Sequence, residues 1–372
     1  MKKRLLEICG ISSGADGTWT RVLEEAKRLS EDYEILIVSS NLEKGKPIKK
    51  TQEKIDNIKI KRFPVKFKIG YALWFDFEKE AMKFKPDVII AHGFRKPYLE
   101  SAIKIKKKMN AKLFLATHAP FVEKKLRSWK LNTIIYFYDK FHAKKILNSF
   151  DKIFSISKWE IPFLIKKGAN KDKIKFTPNG VSKEMFLKEK KAKTKNGKIL
   201  FFGRIDPIKD IETLIKALSK VKEKYTLDIT GPGEERYITK LKEIASKLNV
   251  KVEFNPPVYK LEDKIKKIDS AEIFVLPSKS EGAGIALIEA MARGKLCIAS
   301  KANGPSELIE DKKTGFLFDI GNEKELAEKI SFCLKNKNSD KIKSMQKRVK
   351  EYAKKYSWDK IIDRLKKEIN LS

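Results

Sequence analysis

Two carboxylates and two glycines stand close together in Pro277-Ser278-Lys279-Ser280-Glu281-Gly282-Ala283-Gly284-Ile285-Ala286-Leu287-Ile288-Glu289. An apolar run, Ile273 to Leu276, precedes them, and good helix formers from Ile285 to Arg293 follow. A strand, a glycine turn and a helix start place free backbone N–H groups at the carboxyl edge of a sheet, which suits an anionic or hydroxyl-rich ligand. The plainer alternative is an ordinary strand–helix loop with solvated glutamates. A second turn, Phe202-Gly203-Arg204-Ile205-Asp206-Pro207-Ile208-Lys209-Asp210, again follows a strand pattern. A guanidinium, an ammonium and helix N–H groups there suit a diphosphate, unless both cations are merely solvated. A third turn, Thr230-Gly231-Pro232-Gly233-Glu234, is either a tight turn or a ligand contact. None of the three is a P-loop or a G-x-G-x-x-G fingerprint, so kinase and dehydrogenase readings lack their defining residues.

The elements that must hold these turns read as two strand–helix series. In the front half, strands are expected at Arg4–Ile11, Ile35–Val38, Ile58–Val65, Val88–Ala91, Leu113–Thr117, Ile153–Ile156 and Ile174–Phe176. Trp19, Val22, Leu23, Ala26 and Leu29 repeat at helical spacing after the polar turn Ser12 to Gly17. In the back half, strands are expected at Ile199–Phe202, Leu227–Thr230, Val252–Phe254, Ile273–Leu276, Cys297–Ala299 and Gly315–Phe318. Near-continuous apolar strands between helices predict α/β domains with parallel sheets covered on both faces. The reading is a front domain over 1–183, a charge-rich linker over 184–197 and a second domain over 198–356. A final helix from about 357 to 372, capped by Ser357, is expected to pack back on the front domain.

At 372 residues and 41% hydrophobic content, the chain can fill two cores. Cys9, Cys297 and Cys333 are few and far apart, and two lie in apolar runs, as for buried thiols in a reducing compartment. No Cys/His cluster has metal-ligand spacing, so no metal is expected. Glu7 interrupts the apolar start, which argues against a signal peptide, and no apolar run is long enough to span a bilayer. The net charge is +34, of which residues 1–183 carry +21. Such a field favours anionic partners, or reflects a Lys/Glu-rich thermophile-like surface that needs none.

The back half resembles the family 4 retaining glycosyltransferases of the GT-B fold. The matching pieces are Phe202-Gly203-Arg204 with Lys209-Asp210, Gly231-Pro232-Gly233, Glu281-Gly282-Ala283-Gly284 with Glu289-Ala290-Met291-Ala292-Arg293-Gly294, Asn303 to Ile309, and Lys313 to Leu317. Thr177-Pro178-Asn179-Gly180-Val181 is similar to the family's domain-crossing segment. The resemblance implies two Rossmann-like α/β domains facing each other across a cleft, with a nucleotide-sugar donor (UDP- or GDP-sugar) held mainly by the second. It implies that Arg204 and Lys209 neutralise the donor diphosphate, with no further cofactor or metal. It assigns Glu281 to donor-sugar hydroxyls, Glu289 to ribose hydroxyls, and Gly203, Gly231, Gly282, Ala283, Gly284 and Ile285 to the donor pocket. Gly14 and Gly17 would lie near the diphosphate, and His118 would touch the donor sugar unless it is a structural histidine. His92 follows its strand in the same way. Retention of anomeric configuration is implied, by front-face displacement. Two departures are notable: Ala283 where an aromatic is common, and Asp210 where glycine often follows the lysine.

From Phe121 to Leu147 basic and aromatic residues interleave, beginning with Lys124, Lys125, Arg127, Trp129 and Lys130. On an acceptor domain this surface suits an anionic membrane and a lipid-linked glycan or glycolipid acceptor, unless the aromatics are core. The expectation is a cytoplasmic enzyme associated with the cytoplasmic face of a membrane. Rival readings are a nucleotide-sugar epimerase or sugar phosphorylase of the same fold, and a basic nucleic-acid-binding protein. The last lacks any helix-turn-helix, RNA-recognition or zinc signature, so no specific nucleic acid is expected.

Overall fold

A computed structural model describes residues 2–14, 17–43, 46–69, 72–187 and 196–371. The chain forms two compact units, Met1–Asn179 with Trp358–Ser372, and Gly180–Ser357.

The first unit is built on an eight-stranded sheet. In spatial order its strands are Ile174–Phe176, Lys152–Ser155, Lys112–Ala116, Val88–His92, Lys3–Ile11, Tyr33–Ser40, Ile58–Phe63 and Gln52–Ile55. All neighbours are parallel except the last pair. Strands rich in Leu, Ile and Val, such as Leu5–Cys9 and Val88–Ala91, are buried along their length because helices cover both faces. The expected strand Ile58–Val65 stops at Phe63, and Pro64, which lacks an N–H for the ladder, separates it from Val65–Ile69. Val65–Ile69 pairs instead with Ala72–Phe75 in a hairpin that the apolar pattern did not reveal.

The second unit is a six-stranded, wholly parallel sheet. Its order is Val252–Asn255, Thr226–Thr230, Lys198–Phe202, Ile273–Leu276, Leu296–Ser300 and Phe316–Phe318. Each expected strand falls within one or two residues of an observed one. Cys297 and Cys333 lie in this core and Cys9 in the first; all three are free, and burial pushes the Cys297 and Cys333 thiols up.

The helix Trp358–Asn370 belongs to the first unit. Its Trp358, Ile361, Ile362, Leu365 and Ile369 are buried in one cluster with Trp19, Val22, Ala26 and Leu29 of the helix Gly17–Leu29. Burying a side chain of this size contributes about 1.5–3 kcal/mol. Arg28 to Asp359 and Lys366 to Asp32 add ion pairs at its rim. The change of unit at Asn179 precedes the residue-183 boundary read from composition, because Val181 and Met185 are buried in the second core. Most of the expected linker lies outside the described residues.

Candidate active site

Both sheets reverse their strand order once, and in open α/β sheets ligands bind at the strands' carboxyl ends beside such a reversal. In the second unit it lies between Lys198–Phe202 and Ile273–Leu276. The loop from the first of these begins at Gly203 and runs to the one-turn helix Pro207–Lys209, where Asp206 Oδ1 accepts from Ile208 N at 3.0 Å. Lys279 N, from the other loop, donates to Ile208 O at 2.8 Å and ties the two together. This brings the Lys209 ammonium onto the Glu281 carboxylate, each side chain 16% exposed. Asp210 holds φ +51, the left-handed conformation in which glycine is unstrained. Its carboxylate offsets that strain by accepting from Thr213 Oγ1 at 2.8 Å and pairing with Lys279 at 3.2 Å. The aspartate thus keeps the turn that a glycine would make.

Gly284, at φ +61, starts the helix Ile285–Ala292, whose first amides have no acceptor within the helix. A third segment closes the site where Gly304 N donates to Glu281 O at 3.1 Å. A Cβ at Gly304 would meet the Glu281 and Gly282 carbonyl oxygens at 2.8 Å, so no other residue fits. The Gly231 turn has a structural reason of the same kind. A Cβ there would lie 1.8 Å from Gly203 O, and Gly203 N donates to Thr230 O at 3.0 Å. Glycine at 231 lets the two loops pack backbone to backbone, and this accounts for the turn before any ligand is considered.

Glu289 is nearly buried on the helix Ile285–Ala292 and pairs with Lys264 at 2.7 Å. Lys264, on the helix Leu261–Asp269, was not legible as a site residue, since it belongs to no turn or motif. Both carboxylates expected to read hydroxyls are therefore held by lysines. Arg204 is exposed, its Nε 3.9 Å from Asp206, so its guanidinium remains available to an anion. The site gathers Gly203, Arg204, Lys209, Gly231, Glu281, Gly282, Ala283, Gly284, Ile285 and Glu289 in one unit. Gly14, Gly17 and His118 belong to the other.

In the first unit the order reverses between Lys3–Ile11 and Val88–His92. Gly14 lies beyond the first of these strands at φ +69, and Gly17 opens the following helix. Here the structure assembles a charged cluster that only His92 and His118 announced. Glu7 Oε2 lies 2.6 Å from His92 Nε2, and His92 Nδ1 lies 3.0 Å from His118 Nε2. Arg21 pairs with Glu25 at 2.7 Å and donates to Thr177 O at 2.6 Å. Glu7, Arg21, Glu25 and His92 are fully buried or within 1% of it. Burial pushes the Glu7 and Glu25 carboxyls up, with Arg21 opposing, and pushes His92 down to about 4. His118 is held well below the usual imidazole range by burial, then by His92, Arg21 and Lys96. His118 and Ala119 both hold positive φ, +58 and +46, a conformation costly for side-chain-bearing residues. One atom each of Glu7, Glu25 and His92 lies within 4.8 Å of the others, a combination that a search for Cys/His spacing overlooks. Arg21 counters one of the two carboxylates, and a proton on the other, which burial favours, leaves the cluster neutral.

The basic–aromatic segment forms the short helix Lys124–Leu126 and the helix Trp129–Phe141, none of whose residues is buried. Tyr138 packs on Phe94, and Asp139 takes a two-point contact from Arg95 at 2.8 and 2.7 Å, fixing one face. Trp129, 72% exposed, Ile134, Tyr136, Phe137 and Phe141 lie open, with Lys124, Lys125 and Lys130 exposed beside them and Arg127 half-buried. The aromatics here are surface, not core. Among the described residues no helix is long and apolar enough to cross a membrane.

Two doubly wound α/β units, each with a switch point in its sheet, are the architecture of the GT-B fold. Known sequences agree: the profile for "Glycosyltransferase Family 4" matches residues 15–184, and that for "Glycosyl transferases group 1" matches residues 182–356. The chain belongs to the family 4 type of glycosyltransferase. An uncharacterized glycosyltransferase of Methanocaldococcus jannaschii is 29% identical over 94% of both chains. Among solved structures, a glycosyltransferase from Rickettsia africae superposes with a TM-score of 0.80 at 20% identity, over 99% of this chain and 98% of its own. The HepE protein of Anabaena, solved with UDP and glucose, gives 0.79 at 17% identity over the whole of both chains.

Proposed function

We propose that this enzyme moves a sugar, with retention of configuration, from a nucleotide-sugar donor to a lipid-linked glycan or glycolipid. The observation that carries the reading is the Lys209–Glu281 pair beside the start of the helix Ile285–Ala292, with exposed Arg204 on the adjoining loop. When the glycosidic bond breaks, the electron pair goes to the diphosphate, and negative charge grows there. Fixed cations at Lys209 and Arg204 stabilise that state more than the bound substrate. A donor hydroxyl bonding to Glu281 shares the carboxylate with Lys209, which turns the ammonium toward the phosphate. Ribose hydroxyls share Glu289 with Lys264 in the same manner. His118 is read as a donor-sugar contact. UDP-sugars are the first donors to try, since the Anabaena neighbour was solved with UDP and glucose.

A thermal-shift screen of UDP- and GDP-sugars tests the donor, because a bound ligand raises stability as RT ln(1 + [L]/Kd). No shift with any of them would sink the reading. Epimerised donor without acceptor-dependent transfer would move it to the epimerase alternative. The lipid acceptor rests on the open aromatic face of Trp129–Phe141 and its lysines, which suit an anionic bilayer surface. Sedimentation with phosphatidylglycerol vesicles but not phosphatidylcholine vesicles is expected, with loss of binding in Trp129→Ala/Phe141→Ala. Failure to sediment with either would leave a soluble acceptor.

A further inference from the structure

His92 occupies an unusual place, buried with both ring nitrogens engaged by titratable partners: Nε2 by Glu7 at 2.6 Å and Nδ1 by His118 at 3.0 Å. The Tyr98 hydroxyl donates to the His92 carbonyl and fixes the backbone beneath the ring. His118 Nδ1 has no hydrogen-bond partner among the described residues. A neutral imidazole carries one donor nitrogen and one acceptor nitrogen. The three groups can therefore be satisfied in only two ways.

With Glu7 ionised, its oxygen accepts from His92 Nε2–H, His92 Nδ1 accepts from His118 Nε2–H, and His118 Nδ1 is left as a lone pair. With a proton on Glu7, the carboxyl O–H donates to His92 Nε2, His92 Nδ1–H donates to His118 Nε2, and His118 Nδ1 carries a hydrogen. The two states differ by a single proton taken from solvent onto the cluster. Both imidazoles stay neutral in each state, and both rings always share the same tautomer.

The geometry points to Glu7 and His92 as positioning residues that set the tautomer of His118, and with it whether His118 Nδ1 accepts from or donates to a substrate hydroxyl. This rests on the reading of His118 as a donor-sugar contact. Burial supports it, since Glu7 binds its proton well above the usual carboxylate range while His92 resists a second proton down to about 4. The charged groups facing the row are Arg21 and Glu25 from the helix Gly17–Leu29 and Lys96 from the turn after Val88–His92. The cations Arg21 and Lys96 disfavour imidazolium at His118, while burial, against the pull of Arg21, favours the proton on Glu7. The positive φ at both His118 and Ala119 shows the chain held in a costly turn at this ring.

Only three histidines are present, His92, His118 and His142, so ring 15N spectra of the full chain are readily assigned with a His142→Gln control. Between pH 5 and 9, His92 and His118 are expected to change from Nδ1–H to Nε2–H together in one step, without an imidazolium signal from either. Glu7→Gln, which keeps the size of the side chain but gains no proton, should lose that step. Unlike tautomers on the two rings, an imidazolium at either, no step in the intact chain, or an unchanged step in Glu7→Gln would each overturn the proposal. So would a Zn2+-induced shift at His92 that a chelator reverses, since the cluster would then hold a metal. Thermal shift with UDP-glucose on His118→Ala separates the two readings. A present step with unchanged UDP-glucose binding keeps the tautomer relay and removes the donor contact, while an absent step with lost binding does the reverse.

Discussion

The two switch points share the strand order around the reversal but hold their charges in opposite ways. In Gly180–Ser357, each carboxylate meets one lysine within reach of solvent: Lys209 with Glu281, and Lys264 with Glu289. In the other unit, Glu7, Glu25, Arg21 and His92 are sealed, and one proton is shared along a row of rings. Pairs whose lysine still reaches solvent can exchange it for a ligand at lower cost than sealed ones. Sealed ones cannot part without leaving a charge in a low dielectric, so they can only change protonation. The first arrangement suits binding an anion and its hydroxyls; the second suits setting the state of a single group.

That contrast breaks most directly at Lys209. Lys209→Ala is expected to lower turnover about 10³-fold, the scale of one lost transition-state contact, with the melting temperature little changed. Glu281→Ala should fall nearly as far, and steady-state kinetics giving near-normal rates in both would refute the binding role of the open pairs. Gly231→Ala should lose more than about 3 kcal/mol in urea unfolding, because its Cβ would sit 1.8 Å from Gly203 O. Gly321→Ala is the control, also at positive φ but with nothing within 4 Å, and should lose only about 1 kcal/mol.

The sealed cluster is tested by pH. His92 is pushed by burial from 6.5 down to about 4, so below 6.5 the unfolded chain binds a proton that the folded chain does not. Its contribution, roughly 3 kcal/mol, is full above pH 6.5 and is lost as pH falls through about 4. Glu7 and Glu25, raised by burial, act in the opposite sense, losing their contribution as pH rises through their folded values. His92→Gln should therefore flatten the acid side of the stability profile, measured by urea unfolding from pH 4 to 7. An unchanged slope would mean that His92 is not held neutral. Lys264→Met should raise the donor KM about tenfold and leave kcat within about twofold, as for a contact made equally in ground and transition states. Asp210→Gly is the smallest expected effect, under about 1 kcal/mol in urea unfolding, since relief at φ +51 offsets the lost bonds to Thr213 and Lys279.

The same contrast explains what could be read in advance. Strands buried on both faces leave unbroken apolar runs, so the parallel strands of both sheets were visible in the residues, while the antiparallel edge strand Gln52–Ile55 was not. The open site was visible too, because turns that approach a ligand or another backbone need glycines in order. Gly203, Gly231, Gly284 and Gly304 mark it. Lys264 was not, because its partner Glu289 is reached through packing of one helix on another, which leaves no spacing in the chain. Glu7 looked like an interruption of an apolar strand. Its meaning depends on His92, 85 positions away, and no local pattern records that meeting. The exposed aromatics of Trp129–Phe141 read equally well as core from composition alone.

The chain enters the second unit and leaves it side by side, where Val181 N donates to Tyr356 O at 2.8 Å and Val181 bridges Ser357. In topological terms that unit is an insertion between the edge strand Ile174–Phe176 and the closing helix Trp358–Asn370 of the first. Gly180–Ser357 is one continuous stretch of chain. The first unit instead relies on contacts such as Arg28 to Asp359, 331 positions apart. Closing so long a loop is entropically slow, so the inserted unit should fold early and the enclosing one should wait for its final helix to return.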